Sequence, residues 1–311
     1  MTPEFSVVVP THDRRDVLPE VVAALEAQRD APPFELVVVD DGSTDGTAEW
    51  LAAHRFAVPA RLLRQENRGP AAARNAGVAA ATGRWVAFLG DDTVPCPGWL
   101  AWHRRALRER GDAPELAVIG YTRWHPRLRP TRFLRYINER GPQFGYALIQ
   151  DRERVPFNFL YTSNLSLGRE LLLAEPFDLR FPHAAWEDIE LSYRLHRRGL
   201  RLVYEPRAVV EHDHPTDYDR FAARQEKAGY SAVVFHELHP ELGSFLGIGA
   251  GGPPPLPAAG AQRRREALVR RLQNWPIELP RTWEEALRYH YLRGLRRGWS
   301  ERGREAKGEL R

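Results

Sequence analysis

The first ninety residues alternate between short apolar runs and segments in which apolar residues recur at helical spacing. The runs lie at residues 5–9, 34–39, 61–63 and 85–89, with a helical segment between each pair. This alternation predicts a β-α-β-α-β-α-β unit, because each crossover helix returns the chain to the same side of a growing parallel sheet. The sequence therefore predicts an α/β fold whose parallel sheet is covered by helices.

Acidic residues follow three of these four predicted strands, as Asp13, Asp40, Asp41, Asp91 and Asp92. The carboxyl ends of parallel strands share one edge of the sheet, so we expect these side chains to converge there. Two adjacent carboxylates repel each other unless a cation or a proton lies between them. Mn²⁺ and Mg²⁺ bind carboxylate and phosphate oxygens, which favours a metal site over an ordinary acidic turn.

Composition narrows the class of protein further. The chain has 311 residues, enough for one large α/β domain with extensions or for two domains. Its single cysteine, Cys96, excludes an internal disulfide and a cysteine-based zinc site. No apolar run approaches the roughly 18 residues of a membrane span. The N-terminal residues lack the pattern of a secretory signal, and a cytoplasmic location is therefore expected.

Four segments of the N-terminal half carry a family resemblance. They are residues 8–11 (VVPT), 38–47 (VVDDGSTDGT), 67–77 (NRGPAAARNAG) and 88–92 (FLGDD). In this order and spacing they resemble a family 2 glycosyltransferase, and the resemblance runs from residue 4 to residue 215. It implies the GT-A fold, a Rossmann-like, mixed and mostly parallel sheet flanked by helices. Here a helical C-terminal extension follows.

The resemblance also implies ligands and residue roles. The donor is a nucleotide-diphosphate sugar (a UDP-, GDP- or dTDP-sugar), and the cofactor is Mn²⁺ or Mg²⁺. Asp40 accepts a hydrogen bond from the base, and Asp92 ligates the metal on the diphosphate. Gly90 departs from the family, which often has an acidic residue there. The nucleotide-sugar-binding positions are Pro10, Thr11, Asp13, Asp40, Arg68, Arg74 and Asp91.

A second acidic pair, Glu187 and Asp188, begins a predicted helix over residues 186–195. Acids in a first helical turn complement the helix dipole, which is one interpretation of the pair. The other is a general base for an acceptor hydroxyl. The family resemblance favours the second interpretation, with Asp188 as the base and Glu187 as an acceptor-binding or reserve residue.

Two histidines, His212 and His214, follow a strand predicted over residues 200–210. Side chains at i and i+2 of an extended segment point the same way. The resemblance implies a histidine here that reaches the metal or the diphosphate, and we favour His212 over His214 as that metal ligand.

The predicted organisation has four parts. A GT-A catalytic domain covers residues 1–215, with a nucleotide-sugar half at about 1–95 and an acceptor half at about 96–215. A helical extension covers 216–245, a Gly/Pro-rich linker 246–260, and a basic helical region 261–311. The last region is expected either to pack on the catalytic domain or to lie peripherally on a membrane surface, at its inner face.

The sequence thus predicts a metal-dependent, inverting transfer of a sugar to an acceptor hydroxyl. The acceptor, whether glycan, lipid-linked or a small molecule, is left open. One alternative is a sugar-phosphate nucleotidyltransferase, although the loop after the first strand lacks the glycine such an enzyme typically has. The other is a nucleic-acid-binding module that uses the basic C-terminal helices. A net charge of only +4 and the lack of a recognised motif argue against a nucleic-acid partner.

Overall fold

The computed structural model describes residues 2–306, which form one eight-stranded sheet with helices around it. The strands are β1 (Phe5–Thr11), β2 (Phe34–Asp40), β3 (Ala60–Arg64), β4 (Trp85–Leu89), β5 (Thr93–Pro95), β6 (Leu116–Trp124), β7 (Asn164–Gly168) and β8 (Arg201–His212). The helices are α1 (Leu18–Glu26), α2 (Thr47–Ala53), α3 (Pro70–Ala80), α4 (Trp99–Glu109), α5 (Arg132–Glu139), α6 (Arg169–Ala174), α7 (Glu187–Arg197), α8 (Tyr218–Leu238), α9 (Ala259–Leu272) and α10 (Pro280–Ala306).

The strands are ordered β3-β2-β1-β4-β7-β6-β8-β5. The first four strands along the chain, β1 to β4, are parallel, as their alternation with helices predicted. β7 runs antiparallel to both β4 and β6, whereas β6 and β8 are parallel to each other. The sheet is therefore mixed and mostly parallel, and this expectation is confirmed.

Both faces of the sheet are apolar, which explains why its strands are nearly continuous hydrophobic runs. Alternate residues of β1 enter different cores, Val7 and Val9 on one face and Val8 on the other. The helices α1, α2 and α4 cover the first face, and α3, α6 and α7 cover the second. The buried sheet leaves its strand ends as the place where polar side chains can gather.

The described chain divides into two compact units. The first contains the sheet and consists of residues 1–129, 144–179 and 187–214. The second contains α5, α8, α9 and α10. It also includes residues 130–143 and 180–186, which lie within the predicted catalytic domain, residues 1–215.

Several elements differ from the sequence-based expectation. The sequence of residues 123–155 predicts an irregular segment, but α5 forms within it, and Thr131 caps this helix by accepting a hydrogen bond from the Leu134 N–H. Residues 159–167 are predicted as a strand, but β7 begins only at Asn164, since Pro156 leads into a short 3-10 turn. β8 is longer than predicted and includes His212.

The Gly/Pro-rich segment, residues 246–260, has defined contacts within the second unit. The Tyr291 hydroxyl donates to the Leu246 carbonyl at 2.9 Å, and the Arg296 guanidinium donates to the Pro254 carbonyl at 3.1 Å. The glycines at residues 247, 249 and 252 match the spacing of a dinucleotide-binding motif, but prolines rather than a helix follow them.

A search of residues 2–306 for membrane-spanning helices found none with the length and hydropathy required.

Candidate functional site

The most concentrated group of metal-ligating side chains in residues 2–306 is Asp92, His212 and His214, each with a ligand atom within 4.8 Å of the others. The Asp92 carboxylate lies 3.4 Å from His212 Nε2 and 3.2 Å from His214 Nδ1. Asp92 follows β4, and the histidines lie at the end of β8. The structure thus joins two segments that are 120 residues apart in the sequence.

The backbone holds this cluster in place. The Asp213 N–H donates to the Asp92 carbonyl at 2.7 Å, and Thr93 of β5 pairs with His212 of β8. The indole of Trp124 stacks on the His212 ring at 5.2 Å, and the His212 ring stacks on that of His214 at 5.5 Å. Both imidazoles therefore face the same carboxylate, as their i and i+2 spacing predicted.

Asp91 and Asp92 have opposite electrostatic surroundings. Burial and the neighbouring Asp92 charge raise the pKa of Asp91 to about 7, against the attraction of Arg14. Burial also disfavours the charged form of Asp92, but the imidazoles of His212 and His214 hold its pKa well below the usual value. The cluster thus contains one firmly ionised carboxylate, Asp92, next to a second one, Asp91, that gains or loses a proton near neutral pH.

Arg14 is a site residue that sequence reasoning missed. Its guanidinium lies 3.6 Å from the Asp91 carboxylate and 3.5 Å from that of Asp92. It follows β1, and the neighbouring His12 N–H donates to Asp91 at 3.3 Å. The Arg14 guanidinium therefore offsets part of the repulsion between the two carboxylates, although the pKa of Asp91 stays raised.

Asp40 and Asp41 end β2 but have different surroundings. One oxygen of the buried Asp40 accepts from the Ser43 N–H at 2.9 Å, and the other lies 3.3 Å from Arg64 Nε. Asp41 accepts from the backbone N–H groups of Arg68 and Gly69 at 2.9 and 2.8 Å. Asp41 therefore anchors the loop before α3, a structural role that its sequence position did not indicate.

The turn after β2 also requires a glycine. Gly42 has a φ of +79°, and a Cβ there would lie 2.8 Å from the Asn67 nitrogen. This close approach lets the Asp41 carboxylate reach the loop before α3.

The three predicted nucleotide-pocket residues of β1 and its following loop lie beside this turn. Pro10 and the buried Thr11 pair with Val39 and Asp40 of β2. The Asp13 carboxylate accepts from the Thr44 N–H at 2.7 Å. The structure thus places Pro10, Thr11 and Asp13 along the same strand ends as Asp40.

The two arginines expected near the nucleotide-sugar have different environments. The Arg68 side chain is exposed, and only its backbone is bound, to Asp41. Arg74 is nearly buried in α3, where it donates to Glu187 Oε1 at 2.9 Å and stacks over Phe177. The structure therefore brings Arg74 to the second acidic pair.

Asp188 lies in the first turn of α7, where the helix dipole stabilises a negative charge. Burial and the adjacent Glu187 outweigh that effect and raise its pKa to about 7, although Arg74 opposes the shift. A carboxylate with this pKa exchanges a proton readily near neutral pH, as a general base must.

Two consecutive residues, Thr162 and Ser163, connect this acid to the metal-ligating cluster. The Thr162 N–H donates to the Asp188 carboxylate. The Ser163 carbonyl accepts from the Gly90 N–H at 3.4 Å, one residue before Asp91. The two acidic pairs thus lie at one strand end, and sequence reasoning gave no role to either connecting residue.

Little space surrounds Gly90, the position at which the family often has an acidic residue. A Cβ at this position would lie 3.2 Å from both Asp92 Oδ1 and the Thr93 hydroxyl. The Thr93 hydroxyl donates to the Gly90 carbonyl at 2.8 Å, which makes the turn after β4 compact. A side chain at residue 90 would therefore require Asp92 and Thr93 to move by a few tenths of an ångström.

The sequence allows two interpretations of the aromatic residues at positions 124, 133, 136, 144 and 146, which are stacking on an acceptor sugar or covering of the core. Tyr136 is half-buried. Trp124, Phe133, Phe144 and Tyr146 are all buried. Trp124 stacks on His212 of the metal-ligating cluster. The structure therefore supports the core interpretation for these four.

The mixed sheet, with carboxylates and histidines at the ends of β4 and β8, agrees with the GT-A fold that the sequence predicted. The model of glycosyl transferase family 2 matches residues 6–166, and the chain belongs to that family. The predicted family is thereby confirmed, and the predicted fold agrees with the solved structures described below. Glu187, Asp188, His212 and His214 lie outside the matched segment, so their assignment rests on geometry.

Curated relatives are similar over part of their length. The pre-mycofactocin glycosyltransferase of Mycobacterium tuberculosis is 28% identical over 272 residues, which cover 80% of this chain and 51% of that protein. The validoxylamine A glucosyltransferase of Streptomyces hygroscopicus subsp. limoneus is 31% identical over 226 residues, 65% of this chain and 49% of that protein. The chain thus spans about half the length of these relatives.

Solved structures show the same fold. A mannosyltransferase from Pyrobaculum calidifontis, in complex with GDP-Man and Mn²⁺, has a TM-score of 0.65 at 20% identity, covering 97% of this chain and 88% of that one. A second structure is the glucosyl-3-phosphoglycerate synthase of Mycobacterium tuberculosis in complex with Mn²⁺, UDP-glucose and glycerol 3-phosphate. It has a TM-score of 0.52 at 21% identity and covers 75% of this chain and 80% of that one.

Proposed function

We propose that this protein transfers a sugar from a nucleotide-diphosphate sugar to an acceptor hydroxyl, with inversion at the anomeric carbon and with a divalent cation. The observation that carries the proposal is the cluster of Asp92, His212 and His214 at the end of β4. The relatives named above act on or bind sugars, and two neighbours hold Mn²⁺ with GDP-Man or UDP-glucose.

The donor atoms of this cluster fit a divalent cation. One carboxylate and two imidazoles lie within reach of a single ion, and the Asp92 pKa favours the ionised ligand. Mg²⁺ prefers oxygen ligands in octahedral geometry, whereas Mn²⁺ tolerates this mixed oxygen and nitrogen set better. We therefore favour Mn²⁺. When bound, the cation would neutralise negative charge on the diphosphate leaving group.

The remaining strand-end residues suit a nucleotide. Asp40 is a buried carboxylate positioned to accept from a base N–H, and Pro10, Thr11 and Asp13 border the same edge. The exposed Arg68 guanidinium is available to a phosphate oxygen. Asp91 lies beside Asp92, where its carboxyl group can hydrogen-bond a sugar or ribose hydroxyl.

Asp188 is the proposed base. It takes the proton of the acceptor hydroxyl while that oxygen attacks the anomeric carbon from the face opposite the diphosphate. A single displacement of this kind inverts the configuration. Glu187 accepts a hydrogen bond from Arg74 and therefore stays beside Asp188. There its negative charge raises the pKa of Asp188, which makes Asp188 a stronger base.

A donor screen tests the proposal. The chain is incubated with UDP-, GDP- and dTDP-sugars, with Mn²⁺ or with EDTA, and release of the nucleoside diphosphate is measured. We expect Mn²⁺-dependent release from one class of donor. Asp92→Asn should abolish it, while the exposed Asp151→Asn, with the same change of charge, should leave it unchanged. Release of pyrophosphate from a nucleoside triphosphate plus sugar phosphate would instead support a nucleotidyltransferase.

A further inference from the structure

The helix α9 has one side that is fully engaged within the second unit. Gln262 donates to the Ala286 carbonyl at 3.3 Å, and Glu266 binds His290 at 2.9 Å. Val269 is buried, and the Gln273 side chain accepts from the Tyr218 N–H at 3.0 Å. These residues recur at three- and four-residue intervals, so they form a single inner stripe along the helix.

The opposite stripe of α9 has no such contacts. Its residues are Arg264, Leu268 and Arg271, and Trp275 continues the spacing just after the helix. Leu268 is 41% exposed and Trp275 is 56% exposed. Within residues 2–306, neither Arg264 nor Arg271 forms an ion pair. Apolar and basic side chains therefore alternate along a free helix face.

Other arginines of α9, outside the outer stripe, do form ion pairs. Arg265 is paired with Glu285 at 2.7 Å and Arg270 with Asp219 at 2.8 Å, both toward the unit itself. Residues 259–277 contain a single acidic side chain, Glu266, which belongs to the inner stripe. The outer stripe is thus basic and apolar and contains no carboxylate.

The loop after α9 extends the apolar part. Trp275 and Pro276 are exposed, and Ile277 is 40% exposed, before α10 begins at Pro280. Arg281 is exposed at the start of α10. A tryptophan and an isoleucine lie in the loop between Arg271 and Arg281, and the one carboxylate of this loop, Glu278, is paired with Arg132 at 3.1 Å. This is the arrangement of an interfacial membrane anchor. The indole then enters the headgroup region while the guanidinium groups meet lipid phosphates.

We propose that this surface, Arg264, Leu268, Arg271, Trp275 and Ile277, binds the chain peripherally to a bilayer that contains anionic lipid. The proposal goes beyond sugar transfer and does not depend on it. Charge complementarity favours a lipid surface over an acidic protein, because the arginines are interleaved with large apolar side chains that a bilayer can bury. It favours lipid over nucleic acid for the same reason.

Vesicle co-sedimentation of the full chain tests this surface. Vesicles of phosphatidylcholine are compared with vesicles that contain about 30% phosphatidylglycerol. We expect binding to the anionic vesicles only. Each arginine near such a surface contributes about a fivefold change in partitioning, so Arg264→Glu/Arg271→Glu should reduce binding by at least about 25-fold. Leu268→Ser/Trp275→Ser should reduce it about tenfold or more at constant charge.

The control variant is Arg55→Glu/Arg108→Glu, which changes two exposed arginines of the first unit by the same total charge. It should bind within twofold of the parent, and a thermal melt checks that each variant is folded. The proposal is overturned if this control loses as much binding as the α9 variant, if the α9 variant binds like the parent, or if neutral vesicles bind equally. Binding to duplex DNA that depends on the same arginines, without vesicle binding, also overturns it.

Discussion

Asp92 and Asp188 are both carboxylates near the end of β4, yet their surroundings move their acidities in opposite directions. Both are removed from water, which disfavours the charge. Two imidazoles compensate Asp92 and keep it ionised, whereas Asp188 faces the charge of Glu187 and has a pKa of about 7. A ligand for a cation and an acceptor of a proton need these two different properties.

Asp188→Asn should therefore separate chemistry from binding. The amide keeps the size of the side chain but cannot take a proton, so transfer should fall by about 10²–10⁴-fold. Nucleotide affinity, measured by calorimetry with UDP or GDP and Mn²⁺, should stay within about twofold, because the residues expected to bind the donor are untouched. A variant that transfers sugar at the parental rate removes Asp188 from the mechanism.

The pH dependence provides a second test at the same residue. The base must be unprotonated, so activity should rise with pH through a midpoint near 7. Glu187→Gln removes the negative neighbour that raises the pKa of Asp188 but can still accept from Arg74. Its activity profile should shift to lower pH. The rate is measured from pH 5 to 9 for both proteins, and an unchanged midpoint would assign the titration to another group.

At the level of elements, the strand ends were predictable and the antiparallel half of the sheet was not. The ends of β2 and β4 could be located because apolar runs stop there at adjacent carboxylates. β7 was predicted too long because residues 159–163 are as apolar as a strand, although Pro156 directs them into a turn. Its insertion between β4 and β6 depends on pairings that no local pattern encodes.

The close contact between α8 and α10 also could not be predicted from the periodicity of the sequence. A Cβ at Gly294 would lie 1.8 Å from the Glu226 carbonyl, and one at Gly229 would lie 1.9 Å from the Tyr291 carbonyl. The two helices thus approach each other at their backbones. Each glycine is unfavourable for a helix in isolation but permits the close contact.

Two substitutions in α10 should accordingly have opposite effects. Gly294→Ala forces a methyl group against the α8 backbone and should lower the free energy of unfolding by about 1–3 kcal/mol or more. Gly303→Ala, in the same helix with no atom within 4 Å of its Cβ, should raise it by up to about 1 kcal/mol. Chemical denaturation followed by circular dichroism measures both, and equal effects would contradict this packing.

At the level of the whole molecule, every residue of the proposed site belongs to the first unit. That Asp40 and Asp92 come at the ends of parallel strands could be inferred from the sequence pattern, and the role of Asp188 was suggested by the family resemblance. The roles of Arg14, Thr162 and Ser163 could not be inferred, because they arise from contacts between distant segments. The second unit contributes a basic helical pair whose function the sequence left open between packing and membrane contact.

Binding of nucleotide and cation should therefore be visible as increased stability of the first unit. A ligand at one hundred times its dissociation constant stabilises the folded state by about 2.7 kcal/mol, which raises the midpoint of thermal unfolding by about 5 °C. We expect this rise with UDP or GDP plus Mn²⁺, and a clearly smaller one with either alone, since the diphosphate and the carboxylate of Asp92 share the ion. Asp92→Asn should lose the Mn²⁺-dependent part and keep the nucleotide-only part. Scanning fluorimetry with EDTA as the reference measures each contribution, and an equal rise in the variant would place the cation elsewhere.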